Sequence, residues 1–345
     1  MGSMRIFSEL KDHLRKTPLS VFFLQGIVFI GIGWFAAFLF STQLSPISSS
    51  TTKIPTRLAQ SDYPLINPLL LCNIENNVNS VDTNLKQKIT NLVDQRINSG
   101  AATNISVYLQ EYGTGKWVGV NENDQYDPAS LLKVPLMIAY YQIGEKNPSI
   151  LKQEVAFNGT DQNDDEYFKS PNNIKSGKFY SVEELIKSMI VNSDNTAMLL
   201  LSNYVDKSSL YDVYTDLNLP LPPTDPTVEY ISAKSYAYFF RILYNATYLS
   251  HSDSQKALDL LTEEHLPNGI YSAVSPDLKV ADKFGERTVT DQNNNVIRRE
   301  LHDCGIVYGT HSPYLLCIMS KGNDFDTLAK NIHDISAMVY DSIGK

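Results

Sequence analysis

Three short groups of residues carry side chains that could do chemistry together: serine hydroxyls, lysine amines, a carboxylate and an amide. The first is Ser130 and Lys133, in the stretch YDPASLLKVPLMIAY from Tyr126 to Tyr140. Positions three apart share one face of a helix, so the Lys133 ammonium can sit beside the Ser130 hydroxyl. A serine hydroxyl is a weak nucleophile until an adjacent base or cation activates it. A helix N-terminus adds positive potential where an alkoxide would form. The second group is Ser193-Asp194-Asn195, which offers a hydroxyl, a carboxylate and an amide within one turn. The hydroxyl can relay a proton, and the amide can both donate and accept. The third is Lys283-Phe284-Gly285, in VADKFGERTV. Its lysine would raise the positive potential of a cleft, and its glycine would let a ligand approach the backbone.

Each group has an ordinary reading beside the chemical one. Ser-x-x-Lys occurs at Ser8, Ser50, Ser130, Ser149 and Ser342, and at most one of these serves as a nucleophile. Ser193 and its neighbours could do no more than cap a helix. Lys175-Ser176-Gly177 rivals Lys283 by letter, but it precedes Ser193 in an irregular stretch. The acidic run Asp161 to Glu166 lacks the glycine that a calcium loop needs at its sixth position, so it reads as a solvated loop. No metal site or cofactor is expected.

The elements that must position these groups follow from periodicity and punctuation. Val81 to Ser99 has helical spacing, opened by Asp82 and closed before Gly100. Ile105 to Tyr112 and Lys116 to Val120 read as a hairpin through Gly113-Thr114-Gly115. The Ser130 helix comes next, then a polar, irregular stretch from Pro148 to Tyr180. Ser181-Val182-Glu183-Glu184 resembles a capping box that opens a helix. Further helices are expected at Asn192 to Tyr204, Ile231 to Leu249 and Asp253 to His265, with a proline-rich loop at Leu219 to Pro226. Leu278 to Thr290, Val296 to Tyr308 and Pro313 to Ser320 read as strands, and Asp324 to Ile343 as a closing amphipathic helix. Strands at both ends with helices between them predict an α+β domain over residues 63–345, an antiparallel sheet flanked by helices plus a helical lobe. The terminal helices would cover one sheet face.

Residues Val21 to Phe40 form an uncharged, nearly all-apolar run, and about 20 such residues span a bilayer core. The prediction is a cytoplasmic N-terminus over 1–20, an uncleaved transmembrane anchor over 21–41, with a cleaved signal segment as its rival, and a Ser/Thr/Pro-rich linker over 42–62. Arg5, Lys11, Arg15 and Lys16 precede the run, whereas only Lys53 and Arg57 follow closely. That bias places the N-terminus inside and the domain outside the cell membrane, as a single-pass protein. The net charge of −9 argues against nucleic acid as a partner. A monomer is expected. Three cysteines do not make a disulfide scaffold. Cys304 and Cys317 flank the turn GTHSP symmetrically, so they are either two buried thiols or a cross-strand disulfide.

In the order Ser130-x-x-Lys133, Ser193-Asp194-Asn195, Lys283-x-Gly285, the chain resembles the penicillin-recognising active-site-serine hydrolases: class A β-lactamases and the related penicillin-binding D-Ala-D-Ala peptidases. The resemblance implies an acyl-enzyme at Ser130, formed from a β-lactam or a peptidoglycan stem peptide. Lys133 would take the serine proton, and Ser193 would pass one to the leaving nitrogen. Asn195 would orient substrate and Lys133, and Lys283 would hold Ser193 and attract a substrate carboxylate. The N–H groups of Ser130 and Glu286 would form the oxyanion hole. The sequence departs from the family at two points. Phe284 stands where a hydroxyl usually binds the substrate carboxylate, leaving Arg287 as a candidate replacement. Tyr214 stands where the water-activating glutamate of class A enzymes is expected, with Asp216 and Glu229 as nearby carboxylates. Slow deacylation is the expectation. An efficient β-lactamase and an inactive peptidoglycan-binding relative are the alternatives.

Overall fold

A computed structural model of the protein describes residues 63–67, 81–163, 166–225, 228–263 and 265–344. These belong to one unit, Pro55–Lys345. The expected anchor at 21–41, the linker at 42–62 and Cys72 lie outside the described residues. Among the described residues no helix is long and apolar enough to cross a membrane.

The backbone of the domain is a five-stranded antiparallel sheet in the order β2-β1-β9-β8-β7. Its strands are β1 (Asn104–Glu111), β2 (Trp117–Val120), β7 (Val280–Thr290), β8 (Val296–Val307) and β9 (Tyr314–Gly322). Two-stranded pairs join β3 (Gln125–Tyr126) to β6 (Ile231–Ser232), and β4 (Glu154–Phe157) to β5 (Lys178–Ser181). The helices are α1 (Thr83–Asn98), α2 (Lys133–Lys146), α3 (Val182–Val191), α4 (Asn195–Tyr204), α5 (Lys207–Asp216), α6 (Ala233–Asn245), α7 (His251–Leu260) and α8 (Phe325–Val339).

Strand β9 shows why the sheet sits in the middle. Successive residues point to opposite faces of a strand. Leu315, Cys317 and Met319 join the core shared with the helical lobe, whereas Leu316 and Ile318 join the core under α1 and α8. The terminal helices thus cover one face, as the apolar spacing of Leu85, Ile89 and Val93 requires. On the lobe side, α2 is apolar nearly all round and is buried accordingly.

Caps fix where these helices begin. Asp82 accepts from Leu85 N–H, and Ser181 and Glu184 form the reciprocal capping box. Asp194 opens α4, and Asp324 opens α8. The N-terminal segment is docked: Asn67 N–H donates to the Tyr244 carbonyl (2.7 Å), and Tyr308 Oη donates to the Leu65 carbonyl (2.9 Å).

Three details differ from the sequence reading, and one alternative that it left open, the state of Cys304 and Cys317, is decided. The stretch from Pro148 to Tyr180 is not irregular throughout, because β4 pairs with β5 across it. Helix α5 occupies part of the region between Asn195 and the proline-rich loop, capped by Asp206. Cys304 and Cys317 face each other across β8 and β9 and are bonded as a disulfide. The stretch read as a solvated loop is so only in part: Asp161 and Gln162 are exposed, whereas Asn163 is buried and Glu166 is half-buried.

Candidate active site

Ser130 lies in a 3₁₀ turn, Ala129–Leu132, that runs directly into α2, with Lys133 as the first α-helical residue. The turn is held from several sides. Ala129 adopts a left-handed conformation (φ 49°), and its N–H donates to Asp127 Oδ1 (2.8 Å). Tyr236 Oη donates to the Leu131 carbonyl (2.9 Å). Buried His302 reaches the Asp127 carbonyl through Nε2 (2.8 Å), while its Nδ1 accepts from Ser320 N–H (3.3 Å). Nδ1 can accept only when it carries no proton, so the ring is neutral with its hydrogen on Nε2. Burial pushes the ring down to about 4, consistent with that form.

Strand β7 comes very close to this turn. A Cβ on Gly285 would meet the Pro128 carbonyl oxygen at 2.8 Å and Leu131 N at 3.0 Å. The glycine therefore serves an approach of strand to nucleophile turn, rather than only an approach of ligand to backbone.

Lys133 is the centre of the cluster. It is fully buried, and its Nζ lies 2.8 Å from Ser130 Oγ, 3.0 Å from Ser193 Oγ and 2.8 Å from Asn195 Oδ1. It also donates to the Ser193 carbonyl. Lys283 Nζ donates to Ser193 Oγ from the opposite side (3.1 Å). The five residues expected to act together are brought together. Burial, helped by the positive charge of Lys283, lowers the Lys133 ammonium to about 7, so a neutral amine is accessible near neutral pH.

Asp194 organises the turn rather than the chemistry. Its carboxylate accepts from Thr196 N–H, Ala197 N–H, Ile174 N–H, Ser188 Oγ and Asn163 Nδ2. Ser193 is held at φ 52°, a conformation that costs of order 1–3 kcal/mol and persists where the surroundings impose it. The dense bonding of Asp194 supplies that constraint.

The other predicted site residues are placed differently. Phe284 is buried in the core beneath α8, its ring edge-on to Phe168 at 6.0 Å, with Lys283 Nζ 4.2 Å from its centroid. Arg287, the candidate carboxylate binder, is paired with Asp127 instead. Glu286 Oε1 accepts from Tyr167 N–H (2.8 Å) and Phe168 N–H (3.2 Å). The rival Lys175 is exposed on a turn. Tyr214 is sealed in the core against Phe239 (5.2 Å between ring centroids), with its Oη 3.5 Å from Tyr230 Oη. Asp216 accepts from Tyr248 Oη (2.8 Å), and Glu229 pairs with Arg298 and Lys321.

A fold with a serine turn, a Ser-Asp-Asn turn and an edge-strand lysine meeting in one cleft can be compared with known proteins. The sequence model of the β-lactamase enzyme family matches residues 84–343. The chain belongs to the β-lactamase enzyme family. Solved structures agree on the fold. PBP-A, in a mutant form held as an acyl-enzyme with penicillin G, superposes with a TM-score of 0.63 at 20% identity, covering 76% of this chain and 97% of that one. A β-lactamase from Xanthomonas campestris gives 0.62 at 19% identity, covering 75% and 99%. A class A β-lactamase from Mycobacterium abscessus gives 0.62 at 18% identity, covering 76% and 100%. A comparison with the curated proteins gives no match. The chain is thus a serine hydrolase of the penicillin-recognising group.

Two features were missed at the level of sequence. Asn163 ties the loop 161–163 to the Ser193 turn, and Glu166 is half-buried, with a buried Oε2 that finds no hydrogen-bond partner among the described residues. Their only signal was a polar loop shortly before Ser193, which composition alone reads as solvated.

Proposed function

We propose that the protein is a membrane-anchored, extracytoplasmic hydrolase that forms an acyl-enzyme at Ser130 with β-lactams or D-alanyl peptides and releases it slowly. The observation that carries this reading is the 2.8 Å contact of the buried Lys133 Nζ with Ser130 Oγ. Neutral Lys133 takes the serine proton as Ser130 Oγ attacks the substrate carbonyl. Ser193, bridged to both lysines, passes a proton to the leaving nitrogen as the amide bond breaks. Asn195 fixes Lys133 and orients the substrate. The capture of penicillin G by PBP-A, a protein of the same fold, supports β-lactams as ligands.

Slow release is supported by the fate of the carboxylates after the Ser-Asp-Asn turn. Tyr214 is core, Asp216 is held by Tyr248, and Glu229 is neutralised by two cations. The extracytoplasmic reading rests on the apolar run 21–41 and its basic flank, and the Cys304–Cys317 disulfide is of the kind that persists in an oxidising compartment.

The test is intact-mass analysis after exposure to benzylpenicillin, followed by peptide mapping. One penicilloyl group at Ser130 is expected. Ser130→Ala should remove it while the melting temperature stays close to that of the parent. An adduct on any other serine would refute the assignment.

A further inference from the structure

Asp127, just ahead of Ser130, has every polar atom engaged, each by a different group. Its N–H donates to Glu300 Oε2 (3.3 Å), and its carbonyl accepts from His302 Nε2 (2.8 Å). Its Oδ1 accepts from Ala129 N–H (2.8 Å), and its Oδ2 accepts from the Arg287 guanidinium. The two carboxylate oxygens act over different ranges. Oδ1 acts locally: it closes an Asx turn across Pro128 and holds Ala129 at φ 49°, a conformation that persists where the surroundings impose it. Oδ2 reaches β7, 160 residues further along the chain.

The pattern of β7 explains what that reach can do. Alternate residues of a strand share a face, so Lys283, Gly285 and Arg287 look the same way. Lys283 donates to Ser193 Oγ (3.1 Å), Gly285 lies against the backbone of the serine turn, and Arg287 grips Asp127. Their neighbours on β8 extend the row. His302 lies opposite Gly285 and Glu300 opposite Arg287, and both reach the backbone of Asp127. Strand β7 is thus fixed to the Ser193 turn through Lys283 and to the Ser130 turn through Arg287. An ion pair surrounded by water is weak, but the Asp127 side chain is only 11% exposed, and an unpaired carboxylate there is costly.

We propose, resting on the acyl-enzyme reading above, that Asp127 and Arg287 are a positioning pair for acylation, whose contact sets the Ser130 turn against β7 and so its spacing from Ser193 and Lys283. Neither residue touches the reacting atoms. Arg287 is spent on the enzyme itself and does not hold a substrate carboxylate. Loss of the pair slows the chemical step and leaves the preceding binding step as it was.

The experiment follows acylation of the full chain by a chromogenic cephalosporin, which bears a ring carboxylate, under stopped flow at a series of concentrations. That series separates the saturating rate constant from the apparent dissociation constant. In Arg287→Gln the rate constant should fall ~10- to 10²-fold, the scale of a small misplacement of reacting groups, with the dissociation constant unchanged. Arg287→Lys keeps the charge and should recover part of the rate. Asp127→Asn keeps an acceptor for Ala129 N–H and should lose as much as Arg287→Gln. The double variant should lose no more than either, because the two residues act through one contact. In each variant acylation should still rise with pH to a plateau above about 7, since Lys133 is untouched. A thermal melt shows which variants fold, and if Asp127→Asn does not, the two Arg287 variants decide alone. A dissociation constant that rises while the rate constant holds makes Arg287 a carboxylate binder and overturns the proposal. An unchanged rate constant in Arg287→Gln, or additive losses in the double variant, overturns it too while leaving the acyl-enzyme reading intact. Failure of the parent to form any adduct at Ser130 defeats that earlier reading, and the proposal with it.

Discussion

The cluster around Lys133 and the inner face of α5 are both buried, yet they are built on opposite terms. Around Lys133 buried polar atoms meet one another: two hydroxyls, an amide oxygen and a carbonyl converge on one amine. At α5, where the family pattern would set a water-activating carboxylate, the chain presents Tyr214 to Phe239 and Tyr230. A buried amine is tolerated when its hydrogen bonds are complete, and here the arrangement also makes it a base. A buried phenol packed among aromatics serves the core. Under the proposed reading the two half-reactions have diverged: the cluster that would serve acylation is assembled, whereas the site after the Ser-Asp-Asn turn is given over to packing.

The strongest test of that contrast is Lys133→Ala. Acylation should slow by ~10²–10⁴-fold, because proton transfer by a positioned group is worth that much. In the parent, acylation should rise with pH and level off above about 7, since Lys133 acts only after losing its proton. Stopped-flow acylation across that range checks both points, and a rate independent of pH would remove Lys133 from the role of base.

Gly285→Ala comes next. A methyl group there meets the backbone of the serine turn, so β7 or the turn must shift. A displacement near 1 Å can cost on the order of 10²-fold in rate. The same kinetics read this, together with a thermal melt to show that the domain still folds.

Phe284→Thr is a finer probe, because it asks whether β7 belongs to the site or to the core at that residue. Removing a buried phenyl ring costs ~3–5 kcal/mol at the alanine limit, and somewhat less for threonine. Denaturant unfolding should show a loss of that order, with no gain in acylation by carboxylated β-lactams. A faster acylation would show that the missing hydroxyl limits substrate capture.

The smallest effect is expected from Tyr214→Phe, which removes only a 3.5 Å contact with Tyr230. Stability should change by less than ~1 kcal/mol and the hydrolysis rate not at all. A marked fall in hydrolysis would return Tyr214 to the chemistry.

The convergence of Ser130, Lys133, Ser193, Asn195 and Lys283 was legible in the sequence because these residues are few, ordered and of types with little other use in combination. The sheet and its covering helices were legible too, since period-2 and helical apolar spacing survive in β9, α1 and α8. What the sequence did not reveal was direction. Arg287 could be placed on β7, but not against Asp127. Phe284 was read by its missing hydroxyl, although its ring belongs to the core. Asn163 was hidden because a polar loop looks the same whether it faces water or packs against a turn, and only its hydrogen bonds to Asp194 and Asn195 separate the cases. Helix α5 was missed because it is short and mixed in polarity, and its place depends on packing against the lobe.

The order of strands has a further consequence, in time rather than in space. Strand β1 pairs with β9, bringing Asn104 opposite Lys321, and β7 joins the sheet only through β8. A chain made from its N-terminus therefore carries Ser130 and Lys133 well before the strand that brings Lys283 can be added. Contacts that close so long a loop form late in folding. Until the C-terminal hairpin arrives, Ser193 lacks the Lys283 contact that completes the cluster.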